Sequence, residues 1–308
     1  MVKVPTVLIL GAGASAHVGY PLGSSLIAEL CRWEEFGPDK DRRLLSRWQA
    51  SQIKDFVNRV GRSGHYSIDA FLEQNPEHTD LGRFMIARLL KRRETLGSLF
   101  PPGNSGWYQY LLNKIIEDDR RAERIGENAL TIITFNYDRS LECYLHEAIQ
   151  ARCQLSADEA AERLKSLPII HPHGMLGAYP QIRYFHLLSF NDDFAELDEI
   201  ASGIKIIHEL QDSDARFCAP EFETANERLR NAERILFLGF GFHTDNIRRF
   251  NFFTPKALRE KEVIGTVHGI GSADMEDLLE RLAGFGIRRE MLKSADCNGF
   301  FSYVTRLR

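Results

Sequence analysis

The sequence holds no C-x-x-C pair, no large charge excess of either sign and no apolar run near the ~20 residues of a membrane span. Its five cysteines, Cys31, Cys143, Cys153, Cys218 and Cys297, are odd in number and widely spaced. That pattern argues against a disulfide framework and a cysteine zinc site, and it suits a reducing cytoplasm. Lysine and arginine number 39 against 43 acids, and the basic clusters Lys91-Arg92-Arg93 and Arg120-Arg121 are short and flanked by acids. No direct nucleic-acid binding and no membrane association are expected. Lys3, Val7 to Leu10 and Ala14-Ser15-Ala16 have the outline of a signal peptide, but a signal core needs about 7 to 15 apolar residues and this run is shorter. What the chain does have is 308 residues, 44% of them hydrophobic, enough for a sizeable core in one large domain or two small ones.

Four apolar segments read as buried strands: Thr6 to Leu10, Leu130 to Phe135, Pro168 to His171 and Arg234 to Leu238. Continuous apolar runs of this kind suit a parallel sheet covered on both faces. Helical stretches lie between them, among them Ser156 to Leu167, opened by a Ser156/Glu159 capping box, and Phe222 to Ala232. The expectation is an α/β fold, a Rossmann-like doubly wound parallel sheet. Residues 24–128 depart from the alternation with amphipathic patterns over Leu44 to Val60, Leu81 to Arg93 and Trp107 to Arg124, and read as a helical insertion after the first βα turn. Within it, Pro101-Pro102-Gly103-Asn104 is an expected exposed turn. The chain is thus expected to form one domain, with its core in residues 1–23 and 129–308.

The chemistry concentrates at the strand ends. The first strand runs into Gly11-Ala12-Gly13-Ala14-Ser15-Ala16, a G-x-G-x-x-A turn of the kind that lets a pyrophosphate approach free N–H groups at a helix N-terminus. The alternative is a tight βα turn that needs glycine for packing. A dehydrogenase would next show a strand ending in an acid about 20 residues on. Here Ile27 to Glu35 looks helical, which counts against an oxidoreductase. The second strand ends in Thr134-Phe135-Asn136-Tyr137-Asp138, whose Asn and Asp point either into a ligand crevice or into a cap for the next helix. The third ends in His171-Pro172-His173-Gly174; two histidines at i, i+2 without a third ligand imply no metal, and a crevice histidine suits proton handling, with His171 as the structural member. The fourth ends in Gly239-Phe240-Gly241-Phe242-His243-Thr244-Asp245.

This combination resembles the sirtuin, or silent information regulator, superfamily. The matching pieces are Gly11 to Ser15, Thr134 to Asp138, His173-Gly174 and Gly239 to Asp245. The zinc ribbon with its two C-x-x-C pairs, and the Asp-Phe-Arg run of sirtuin deacylases, are missing; Gly19-Tyr20-Pro21-Leu22-Gly23 stands where that run falls. The pattern is more similar to the divergent sirtuin-like domains of bacterial anti-phage defence, which hydrolyse NAD and carry a helical insertion. Ser67-Ile68-Asp69-Ala70-Phe71-Leu72 is similar to a short motif of that insertion.

The resemblance implies cleavage of the nicotinamide–ribose bond of NAD+, to give nicotinamide and ADP-ribose. Asn136 would hold the ribose and the attacking water, His173 would act as general base, and Asp138 would orient the nicotinamide end. Gly11, Ala12, Gly13 and Ser15 would cradle the pyrophosphate, Thr134 and Asp245 would belong to the same cofactor site, and Gly239 and Gly241 would lie at the adenosine side. NAD+ is the implied substrate, with no metal. A homo-oligomer, a HerA-type ATPase or another defence-system partner is the implied means of control. The competing readings are an NAD or ADP-ribose sensor without catalysis, and a protein deacylase or ADP-ribosyltransferase.

Overall fold

The computed structural model describes residues 1–32, 42–102, 106–117, 122–177, 194–206 and 220–307. Six strands, β1 (Thr6–Leu10), β2 (Leu130–Thr134), β3 (Ile169–Ile170), β4 (Arg234–Leu238), β5 (Glu262–Val267) and β6 (Leu292–Ser294), pair in the order β3-β2-β1-β4-β5-β6. Every pairing is parallel. Thr6 stands beside Leu130 on one side and Arg234 on the other, and Leu10 beside Thr134 and Leu238, so β1, β2 and β4 end level with one another. The Rossmann-like α/β expectation holds, and the order reverses between β1 and β4, where such sheets open a ligand crevice.

Alternation along each strand divides the core in two. Leu8, Leu10, Ile132, Leu236 and Leu238 point into one apolar cluster, and Val7, Ile9, Ile133, Ile235 and Phe237 into the other. The first cluster continues without a break through Phe56, Phe71, Phe84 and Trp107 of the 24–128 segment. That segment therefore packs one face of the sheet, and its described elements are all helical. The second face is covered by the helices Pro220–Asn231 and Ser272–Leu282 and by a cluster of phenylalanines, among them Phe222, Phe240, Phe250 and Phe253.

Several boundaries differ from the sequence reading. The stretch Leu44 to Val60 is two helices, Arg42–Arg47 and Ala50–Arg62, because Gln49 starts the second with a reciprocal cap to Gln52. Leu81 to Arg93 is the helix Thr79–Lys91, and Trp107 to Arg124 resolves into the helix Gly106–Ile115 and a 3-10 segment Ala122–Glu127. Pro101 and Pro102 are exposed, while Gly103 and Asn104 lie outside the described residues. Glu29, one of the acids in the Ile27 to Glu35 interval, sits on the helix Gly23–Cys31. β5 and β6 were not foreseen. Among the described residues no helix is long and apolar enough to cross a membrane.

A buried ion cluster ties the insertion to the sheet. Glu94 accepts from Arg139 at 2.9 Å and from Lys91, with all three side chains almost wholly excluded from solvent. Arg139 directly follows Asp138, so this cluster anchors the turn that leaves β2.

Candidate active site

The carboxyl ends of β1, β2 and β4 and the turn after β3 open on one cavity of about 460 Å³, a size typical of ligand sites. Of the residues singled out in the sequence, Gly11, Ala12, Gly13, Ser15, Asn136, Asp138, His173, Gly239 and Gly241 line it, and Thr134 and Asp245 do not. Thr134 instead accepts the Asn136 N–H through Oγ1 at 3.1 Å, and Asp245 accepts from the Tyr66 hydroxyl at 3.1 Å.

The floor is the turn after β1. It is a pair of 3-10 turns, Ala12–Ala14 and Ala16–Val18, and the first α-helix begins only at Gly23. The amides of Gly11 and Gly13 donate to the carbonyls of Leu238 and Gly239 at 3.1 and 2.9 Å, and those of Ala14 and Ser15 donate back into the turn. The expectation of free N–H groups at a helix N-terminus is therefore corrected at these four amides. The reason is packing between neighbouring strand ends. Gly239 holds φ +57, and a Cβ there would strike Gly13 and the Ala14 nitrogen, while one on Gly11 would meet the Gly239 oxygen at 2.7 Å. These glycines are required by close backbone contact, and the turn they form still faces the cavity. Trp107 of the insertion closes it from outside, donating from Nε1 to the Ala14 carbonyl at 2.8 Å.

A directional hydrogen-bond chain runs beneath the cavity. Tyr108 and Ser140 hydroxyls lie 2.6 Å apart, Ser140 donates to Asp138 Oδ1 from both N and Oγ, and Ser15 Oγ donates to Asp138 Oδ2 at 2.8 Å. With its proton committed to Asp138, Ser15 Oγ must accept, and Asn136 Nδ2 donates to it at 3.2 Å. The chain thus assigns the amide so that its nitrogen faces Ser15 and its oxygen remains an acceptor. Asp138 both caps the helix Ser140–Cys153 and anchors Asn136, so both sequence readings of that residue hold in part. Burial pushes its carboxyl above the usual range, while the donors from Ser140 and Ser15 oppose that shift.

The two histidines separate cleanly. His171 engages both ring nitrogens, Nδ1 with the Asn136 carbonyl at 3.1 Å and Nε2 with Glu142 at 2.5 Å. Burial alone lowers its pKa, but the Glu142 carboxylate outweighs this and the net shift is upward. It is the structural member, as expected. His173 is buried on the cavity wall, where Arg249 Nη1 approaches its Nε2 at 3.3 Å. A guanidinium only donates, so Nε2 is the acceptor and the ring is neutral with its proton on Nδ1. Burial, then the Arg249 charge, hold its pKa down to about 3. Gly174 follows because the chain turns there at φ +73, where a Cβ would strike the Gly203 carbonyl.

The opposite wall comes from the insertion, through the short helix Ile68–Gln74 and the loop before it. Ser67 caps that helix, accepting the Ala70 N–H at 3.2 Å. Three side chains cross the cavity mouth to strand-end residues: Tyr66 to Asp245, Asp69 to the Tyr137 hydroxyl, and Glu73 to Arg249. Tyr66 also stacks on His243 with centroids 3.9 Å apart. Burial and then Asp69 raise the Tyr137 hydroxyl well above its ordinary value, and burial raises the Asp69 carboxyl. Arg249 was not singled out in the sequence, and the role of the Ser67 to Leu72 motif was left open there. The cap at Ser67 and the acids two and six residues on are its only local signal.

Residues 130–261 match the family model of the SIR2-like domain. The match covers less than half of the 308 residues and makes this part of the chain similar to that family. The match spans β2, β3 and β4 and contains Asn136, His173 and Arg249, whereas the β1 turn and the insertion wall precede it. No curated protein matches the chain.

Proposed function

We propose that the chain is an NAD+ glycohydrolase, cleaving the bond between nicotinamide and ribose to release nicotinamide and ADP-ribose. The observation that carries this reading is the convergence of Asn136 and His173 on one cavity whose floor is the Gly11 to Ser15 turn. The SIR2-like match over residues 130–261 supports it.

The reaction asks little acid chemistry of the protein. Nicotinamide leaves with the electron pair of its glycosidic bond and departs neutral, so no group need protonate it. The paired carboxylates of ordinary glycosidases are dispensable, although the transition state is oxocarbenium-like in both. Asn136, with its nitrogen tied to Ser15, offers its oxygen to the ribose or to the incoming water. His173 takes the proton that water loses as its oxygen bonds to ribose C1′, then returns it to solvent. Asp138 keeps the polarity of the Asn136 amide through Ser15 and, lining the same cavity, would orient the nicotinamide end. Gly11, Ala12 and Gly13 border the region for the diphosphate, and Gly239 and Gly241 the adenosine side.

Incubating the purified protein with NAD+ and resolving the products by chromatography tests this. Wild type releases nicotinamide and ADP-ribose without an added peptide, and Asn136→Ala and His173→Ala do not. An acyl-lysine peptide requirement would favour a deacylase, and binding without release by any protein, Arg249→Met included, would favour a sensor. The setting we propose is NAD depletion in bacterial anti-phage defence, in the cytoplasm. Control would come through homo-oligomerisation or a HerA-type ATPase partner, and mass photometry of a fully active monomer would contradict the oligomer part.

A further inference from the structure

His173 is badly placed to act as a base in the arrangement described above. Its Nε2 lone pair points at Arg249, and its Nδ1 carries the proton. Protonating the ring would set a second cation 3.3 Å from the guanidinium in a buried site. Arg249 is itself fixed from two sides. Asn246, one turn earlier, accepts from Nη1 at 2.9 Å, and Glu73 of the insertion accepts from Nη2. Arg249 is buried and Glu73 only partly exposed, with side-chain exposures of 5% and 12%. Such a pair is held firmly while intact, and either charge is strongly disfavoured once the other withdraws.

We propose that Arg249 and Glu73 form a positioning pair that masks the acceptor nitrogen of His173, so that the insertion helix Ile68–Gln74 governs whether the base is available. Ile68, Phe71 and Leu72 keep that helix in the core, so the step is withdrawal of the Glu73 side chain from the pair. The guanidinium, without its carboxylate, then turns toward solvent, and Nε2 is freed to accept a proton. The other links across the mouth, from Tyr66 to Asp245 and the His243 ring and from Asp69 to Tyr137, are also made by side chains. This inference rests on the NAD+ hydrolase reading only for its activity readout.

Other groups near His173 bound what its titration reports. Glu73 and Asp69 of the insertion, Tyr137 and Asp138 of the turn after β2, and Asn246 and Arg249 of the segment after β4 line the same cavity as His173. On its own segment, His171 is committed to Glu142, and Lys205 reaches the His173 carbonyl through its backbone amide, with its ammonium paired to Glu221.

The test uses the full chain with labelled histidine. Two-dimensional spectra report the tautomer and midpoint of His173, identified by its loss in His173→Gln, alongside NAD+ hydrolysis. The variants are Arg249→Met and the double change Glu73→Met/Arg249→Met, which removes both charges and leaves neither orphaned. In wild type the ring is expected to be neutral with its proton on Nδ1 and to titrate well below 6.5. In both variants the midpoint moves up toward that ordinary value and hydrolysis by the isolated chain rises about 10²-fold, the lower end of the range a general base commands. A shifted midpoint with no hydrolysis by any protein would uphold the mask and defeat the hydrolase reading. A midpoint unmoved in folded variants, or hydrolysis that falls in both of them, would overturn the mask.

Discussion

The strand ends lock onto one another beneath the cavity through backbone, and the insertion reaches across its mouth through side chains. Gly11, Gly13 and Gly239 touch so closely that none has room for a Cβ, and the Gly13 amide is spent on the Gly239 carbonyl. Tyr66, Asp69 and Glu73 instead span the mouth at the ends of rotatable chains, reaching Asp245, Tyr137 and Arg249. Parting two backbones locked by neighbouring parallel strands would break the sheet. Parting three side-chain contacts costs far less, so the insertion wall is the one able to move. The two regions still share one apolar core through Leu8, Leu236, Phe56 and Phe84, to which Ile68, Phe71 and Leu72 of the short helix also belong, so that freedom is confined to the side chains at the mouth.

The largest effects should come from the strand-end wall. In the Arg249→Met protein, whose base is unmasked, His173→Ala is expected to lower hydrolysis by about 10² to 10⁴, the usual value of a positioned base, and Asn136→Ala to do the same; product chromatography measures both. Next comes the anchor beneath it. Glu94→Ala leaves Arg139 and Lys91 buried without their carboxylate, and urea unfolding should show a loss of about 3–5 kcal/mol. That loss should appear in a single transition. Two separate transitions would break the shared-core account.

His173 also shapes the acid limb of stability. Its folded pKa of about 3 lies below the ordinary unfolded value, so the unfolded chain binds the extra proton between about 6.5 and 3. Stability contributed by this group is present above that window and falls by up to about 1.4 kcal/mol per pH unit as pH drops through it. His173→Gln should lack that slope, so the two stability curves diverge by it across this window; parallel curves would contradict its burial as a neutral ring.

Glycine substitutions sharpen the contrast between the walls through their sign. Gly239→Ala should cost at least about 1–3 kcal/mol from its left-handed backbone, with the contact to Gly13 and Ala14 added. Gly97→Ala, on a short insertion helix with open space at its Cβ, should gain up to about 0.5–1 kcal/mol. Thermal melts of both decide it. The smallest change is Tyr66→Phe, which removes one half-exposed hydrogen bond worth about 0.5–1.5 kcal/mol or less. Deuterium exchange should register it as faster opening around Ile68–Gln74, with the strand ends unchanged.

Legibility in the sequence follows the same division. β1, β2 and β4 are readable because both faces are covered and every residue in them is buried. β5 is not, since Glu262 and Gly265 dilute its apolar run; Gly265 is there because a Cβ would come within 2.7 Å of the Phe242 ring. β6, at three residues, is too short to carry a pattern. Asn136, Asp138 and His173 stand at strand ends and were visible there. Glu73 and Arg249 lie 176 residues apart and meet only through the fold, so no local spacing could pair them. Gly11 and Gly13 were legible as glycines a turn requires, but which neighbour required them was not, because Gly239 comes from a strand 228 residues later than Gly11.

The most direct measurement is nicotinamide and ADP-ribose release from NAD+ by the wild-type protein and Arg249→Met, each with and without Asn136→Ala. The account predicts equal amounts of both products, slow release from wild type, faster release from Arg249→Met, and none once Asn136 is replaced. Release that survives Asn136→Ala, or none from wild type and Arg249→Met while both bind NAD+, would contradict it.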